Sequence, residues 1–116
     1  MSIQRLHSGP RMSQVVVHGA TVYTAGQVAR DASGESVTRQ TENVLEHIDA
    51  LLAEVGSDKN KLLSATIWLS DIGAFDEMNA VWDAWVSPGN TPARACVEAR
   101  LAAPQYSVEV AVIAAL

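Results

Sequence analysis

The last segment restricts the fold most. Residues 107–115, SVEVAVIAA, alternate as a strand does, yet both faces are apolar. Val108, Val110, Val112 and Ala114 fall on one face, and Ala111, Ile113 and Ala115 on the other. A strand that is apolar on both faces has to be covered twice. Glu109 breaks the pattern by placing a carboxylate on the second face, which is costly unless the group is paired or hydrogen-bonded. Two placements stay open for it: a wet sheet margin, or an acid held in a site.

What could cover that strand lies upstream. Residues 1–13 are polar and contain Gly9-Pro10, a turn signal. SQVVV and TVYTAGQVA then read as a hairpin about His18-Gly19. From Val37 the period changes to that of a helix: Thr41, Val44, Leu45, Ile48, Leu51, Leu52 and Val55 form one stripe, about five turns long. Gly56 is its natural stop. LLSATIWLS alternates again, with Leu63, Ala65, Ile67 and Leu69 expected on one face. Asp71 is placed to cap a second helix, with Phe75, Met78, Val81, Trp82 and Trp85 as its apolar stripe. Pro88-Gly89-Asn90 ends it, and strands follow at roughly 93–101 and 107–115.

The order β-β-α-β-α-β-β predicts an α+β fold with two helices on one face of a sheet. Residues 1–116 are expected to form a single domain, since no repeat, linker or low-complexity tract divides them. Two helices cover only one face, so the other is expected to meet another copy of the chain.

Charge narrows the function. Thirteen acidic residues against eight Lys and Arg give a net charge of -5, with no basic block. That disfavours nucleic-acid and membrane-surface partners. No stretch is long and apolar enough to span a bilayer, and the N-terminus lacks a signal-peptide core, so the expected location is cytoplasmic. Cys96 is the only cysteine, which excludes an internal disulfide and a C-x-x-C site. No ligand pair has zinc spacing, and neither GATVYTAG nor GSDKNK is a nucleotide-binding loop. A Cys96–His nucleophile is disfavoured: His7 sits in the polar N-terminal segment, His18 in a turn and His47 on the outer side of the first helix. Trp68, Trp82 and Trp85 read as core and interface residues.

TPARACVEA, residues 91–99, puts Arg94, Cys96 and Glu98 on one strand face. Pattern alone favours a solvated charged face. The alternative is a guanidinium fork aimed at a carboxylate, for which arginine geometry is suited.

TPARACVEARLAAP followed by VEVAVIAA resembles the C-terminal signature of the YjgF/RidA family of reactive-intermediate deaminases. TVYTAGQVA, QTENVLEHIDALLAEVGSDKNKLLSATIWLSDI and FDEMNAVWDAW extend the resemblance over essentially the whole chain. It implies a chorismate-mutase-like α+β fold and a homotrimer with a barrel-like core and clefts between subunits. The implied activity is hydrolysis of enamines and imines, of the 2-aminoacrylate type, to 2-keto acids and ammonia, with no cofactor and no metal. In this resemblance Arg94 grips the substrate carboxylate, and Cys96 lines the pocket by its backbone and position. Glu109 positions the attacking water, Asn79 lies near the cleft, and the backbone of Gly26 approaches the ligand. The chain departs from the family at two places. GPRMSQV stands where the family has GPYSQA, so Arg11 and Met12 replace a tyrosine. Ala25 stands where a serine precedes the glycine. These changes leave the substrate open, and a non-catalytic small-carboxylate-binding or enzyme-partner module is the second reading.

Overall fold

The structure, a computed structural model, describes residues 2–116. Its strands are β1 (Ile3–Ser8), β2 (Ser13–His18), β3 (Thr21–Thr24), β4 (Gln27–Val28), β5 (Leu62–Leu69), β6 (Ala93–Glu98) and β7 (Val108–Ala115). The helices are α1 (Val37–Glu54) and α2 (Phe75–Trp85). One sheet runs β1-β2-β3-β7-β5-β6, with β4 also paired to β7. The two-sided strand is therefore central: β7 pairs β3 and β4 along one edge and β5 along the other, all antiparallel. β5 and β6 are parallel, as a connection through α2 requires.

Val108, Val110, Val112 and Ala114 are fully buried beneath the helices, whereas the alternate residues of β7 are only half-buried. α1 supplies Val44, Leu45, Ile48 and Leu52 to this core, and α2 supplies Met78 and Trp82. Ser36 caps α1, its hydroxyl accepting from the Arg39 amide at 3.1 Å. Gly56 closes it in the left-handed region, at φ 81°. Gln40 is buried within α1 because three backbone groups need it. Its Nε2 donates to the carbonyls of Glu35 and Gln105 at 2.9 and 3.1 Å, and its Oε1 accepts from the Ser107 amide at 2.8 Å. The loop before Glu109 is thereby tied to the helix.

Four local expectations are corrected. The polar N-terminal segment contributes an edge strand, β1, because β2 offers it an antiparallel partner at every residue but His7, which lies at φ 51°. TVYTAGQVA is broken into β3 and β4 at Ala25-Gly26. In β5 a register shift between Leu62 and Ser64 puts Leu62 in the core and leaves Leu63 exposed. Asp71 caps, but through a short 3₁₀ turn at Ile72–Ala74, where its Oδ1 accepts from the Gly73 amide at 2.8 Å. The sheet face opposite the helices carries half-buried Trp68 and Ile113 beside exposed Tyr23 and Val97. Among the described residues no helix is long and apolar enough to cross a membrane.

Candidate functional site

β6 is an edge strand hydrogen-bonded only to β5, with Arg94 opposite Ala65 and Cys96 opposite Ile67. Ala65 and Ile67 face the helices, so Arg94 and Cys96 do too. Arg94 leans onto α2. Its Nη1 donates to Asn79 Oδ1 at 2.7 Å, and its guanidinium stacks 5.3 Å from the Trp82 ring centre and 5.8 Å from that of Phe75. Phe75, Asn79 and Trp82 stand four and three residues apart, which places them on one helix face. That spacing is the available sequence signal for an arginine cradle; the same period reads Phe75 and Trp82 as part of an apolar stripe.

No ion pair among the described residues involves Arg94. Its charge is held by a neutral amide and two rings, and the remaining edge of the fork is free. Cys96 is half-buried beside it. Burial pushes the thiol up, against a smaller opposing pull from Arg94, so the sulfur is a neutral thiol near pH 7. His7 is engaged with Glu54, and His47 lies beside Arg30 and Asp31.

Glu109 projects from the other face of the sheet. Its neighbours across the ladder are Val28 and Trp68. Its carboxylate lies over Gly26, where the chain breaks between β3 and β4. A Cβ on Gly26 would stand 2.9 Å from Glu109 Cδ and overlap Oε2. Burial raises the Glu109 carboxyl above the usual carboxylate range, and no ion pair offsets that.

Arg94, Cys96 and Asn79 thus form one cluster, and Gly26 with Glu109 forms another, next to Ala25. Within one chain the two clusters do not meet. Glu109, Trp68 and Val97 make a single row across the open face, while Arg94 lies three residues before Val97 on the opposite face. Strand alternation made this legible in principle, but only once the register between β5, β6 and β7 was known. Arg11 and Met12 are exposed in the turn between β1 and β2, where the Gly9 amide donates to the Met12 carbonyl at 2.8 Å. Among the described residues no group of three or more His, Cys, Asp or Glu side chains is arranged to hold a metal ion.

The contact at Gly26 yields a prediction. Gly26→Ala forces the Glu109 carboxylate aside, and because the obstacle is the end of a flexible side chain, folding is little affected. Thermal unfolding should shift by no more than a few degrees, within the ordinary range for about 1 kcal/mol. Any turnover that depends on Glu109 should fall by roughly a hundredfold. A large stability loss would show that the backbone, not the carboxylate, is what the glycine accommodates.

These features define a class: a small α+β protein whose sheet is covered by helices on one side, open on the other, and carries an unpaired arginine at its edge. The family model described as Endoribonuclease L-PSP matches residues 2–116. A RutC family protein from Haemophilus ducreyi is 42% identical over 114 residues, covering 98% of this chain and 97% of that one. The RutC family protein YoaB from Escherichia coli is 42% identical over 116 residues, the full length of both. The crystal structure of a YjgF-family protein from Neisseria meningitidis superposes with a TM-score of 0.95 at 48% identity, covering 99% of this chain and 95% of that one. The chain belongs to the YjgF/RidA family.

Proposed function

We propose that the protein hydrolyses reactive enamines and imines of small 2-amino acids to 2-keto acids and ammonia. The observation that carries this reading is the Arg94 fork, held in place by Asn79 and the aromatic rings yet free of any carboxylate. A substrate carboxylate completes that fork bidentately and fixes the adjacent C=N carbon. That carbon is electrophilic in the iminium form. Water adds to it, Glu109 takes the water's proton, and a carbinolamine forms. Glu109 returns the proton to nitrogen, the C–N bond breaks to release ammonia, and the carboxylate so regenerated takes the hydroxyl proton, leaving the keto group. A carboxyl raised by burial is closer to neutrality than an ordinary glutamate, which suits it to this exchange.

Because Arg94 and Glu109 of one chain occupy opposite faces, the reading places the reaction in a cleft between copies. Glu109 of one copy would face Arg94 of the next. The uncovered face bearing Tyr23 and Val97 supports such an assembly, and a homotrimer is the family arrangement. The same separation favours one alternative, a non-catalytic carboxylate-binding or enzyme-partner module, in which Arg94 works without Glu109. Nucleic-acid cleavage is not carried over from the family description, given a net charge of -5.

The test generates 2-aminoacrylate and bulkier imino acids in situ, with semicarbazide as trap. The protein should suppress semicarbazone formation and release keto acid and ammonia in equal amounts. No suppression by a folded, assembled protein would decide for the binding module.

A further inference from the structure

A second arginine is held much as Arg94 is, on the helix-bearing side of the molecule. A hollow of about 430 Å³ opens between the β1–β2 hairpin, β4 and the flank of α1 that presents His47, Ala50, Leu51 and Glu54. These positions, at spacings of three and four, share one stripe of the helix. Arg30 stands at this hollow. Its Nη1 donates to Gln27 Oε1 at 3.3 Å, and its Nη2 lies 3.5 Å from His47 Nδ1. Gln27 is fully buried and fixed in turn, its Nε2 donating to Gln14 Oε1 at 2.8 Å and to the Ala25 carbonyl at 3.2 Å.

His47 corrects its expected place. Its side chain is only 13% exposed, and its Nε2 lies 3.2 Å from Asp31 Oδ2 without the alignment of a hydrogen bond. Burial first, and Arg30 second, hold the imidazole below its usual range against smaller opposing pulls from Asp31 and Glu46. It is therefore a neutral neighbour to the guanidinium at pH 7. The one acid among the residues lining the hollow, Glu54, is engaged by His7 Nε2 at 2.6 Å. No carboxylate oxygen lies within 4.0 Å of Arg30 among the described residues. A cation fixed by neutral acceptors in a lined hollow keeps its charge available for an anion.

The anion's class follows from what surrounds it. One guanidinium with Asp31 and Glu54 nearby suits a monoanion and repels a phosphate dianion. Ala50 and Leu51 offer an apolar wall to a short hydrocarbon body. We infer that this hollow is a second carboxylate site, which takes a short-chain monocarboxylate on Arg30 with its hydrocarbon against Leu51. Its α1 wall lies on the helix-bearing side of the sheet, away from the open face. The inference does not rest on imine hydrolysis.

Sodium propionate is the probe, titrated against sodium chloride at matched ionic strength and followed by ¹H–¹⁵N correlation spectra. Wild type and Arg94→Ala should both show saturable shifts at the side-chain amides of Gln14 and Gln27 and at the backbone of residues 27–31. Arg30→Gln should weaken that titration about tenfold or more, as expected for losing charged hydrogen bonds. Arg30→Lys should keep part of it as a point charge. Arg30 is exposed, so without propionate its variants should keep a folded, well-dispersed spectrum that differs from wild type only near residue 30, Gln27 and His47, and each titration is read against its own starting spectrum. Unchanged propionate shifts in Arg30→Gln, or wild-type shifts confined to residues around Arg94, would overturn the site.

Discussion

Arg94→Ala is expected to lower kcat/KM for imine hydrolysis about a thousandfold while leaving the chain folded. The size follows from what is removed. Two charge-assisted hydrogen bonds to a substrate carboxylate are worth about 1.5–3 kcal/mol each, so their joint loss spans roughly 10²–10⁴ in rate. Part of the loss should appear in kcat, because the same fork sets the approach of water to the C=N carbon. Stability should change little. Arg94 is exposed, and its contacts are one amide and stacking on Trp82 and Phe75, worth about 0.5–1 kcal/mol at such a site. Arg94→Lys should recover only a small fraction of the rate, since a point charge cannot make the fork or keep the planar stack. Steady-state kinetics on imines generated in situ, beside thermal unfolding of each variant, separates these effects. Activity within roughly threefold of wild type in folded Arg94→Ala would remove the clamp role while leaving the hydrolysis itself standing.

Much of this arrangement could be read in the sequence, and the reasons for what could not are physical. The alternation in SVEVAVIAA grouped Val108, Val110, Val112 and Ala114 on the face that is buried, while the central position of β7 comes from its pairing and was not legible there. The 3.6 period of α1 was equally clear, because its core stripe is long. β1 was hidden because an edge strand needs no hydrophobic pattern. Five of its six residues are exposed, and pairing with β2 alone holds it. Leu63 went to the wrong face because a bulge shifts alternation by one without marking itself in composition. In the site, Arg94 and Glu109 stood out as charges on half-apolar strands. Their separation onto opposite faces did not, since it depends on the pairing of three strands rather than on any one of them. The Phe75–Asn79–Trp82 cradle and the Arg30 hollow were missed for a related reason: each joins residues from different elements whose local patterns are fully explained by packing.

Glu109→Gln should do two opposite things, abolishing most turnover and raising stability near neutral pH. Its proton exchange with water has no evident substitute, so the rate should fall by roughly 10²–10⁴. The stability change follows from linkage. Burial raises the folded-state pKa of Glu109 above its unfolded value, so between those two values the folded chain binds more protons. Raising the pH through that window therefore costs stability, and above the folded value the full penalty of a desolvated carboxylate is present. Glutamine removes that penalty. Below the ordinary carboxylate range, near about pH 4, both proteins carry a neutral group there and their Tm values should converge. Towards pH 7 the variant should unfold at the higher temperature. This requires that the neighbouring copy's arginine be kept from Glu109 by the space that substrate and water occupy, not bonded to it directly. Unfolding curves across that pH range test the point. A variant less stable than wild type at pH 7 would mean that a cation sits on Glu109 in the resting assembly, leaving no room for the water the mechanism needs.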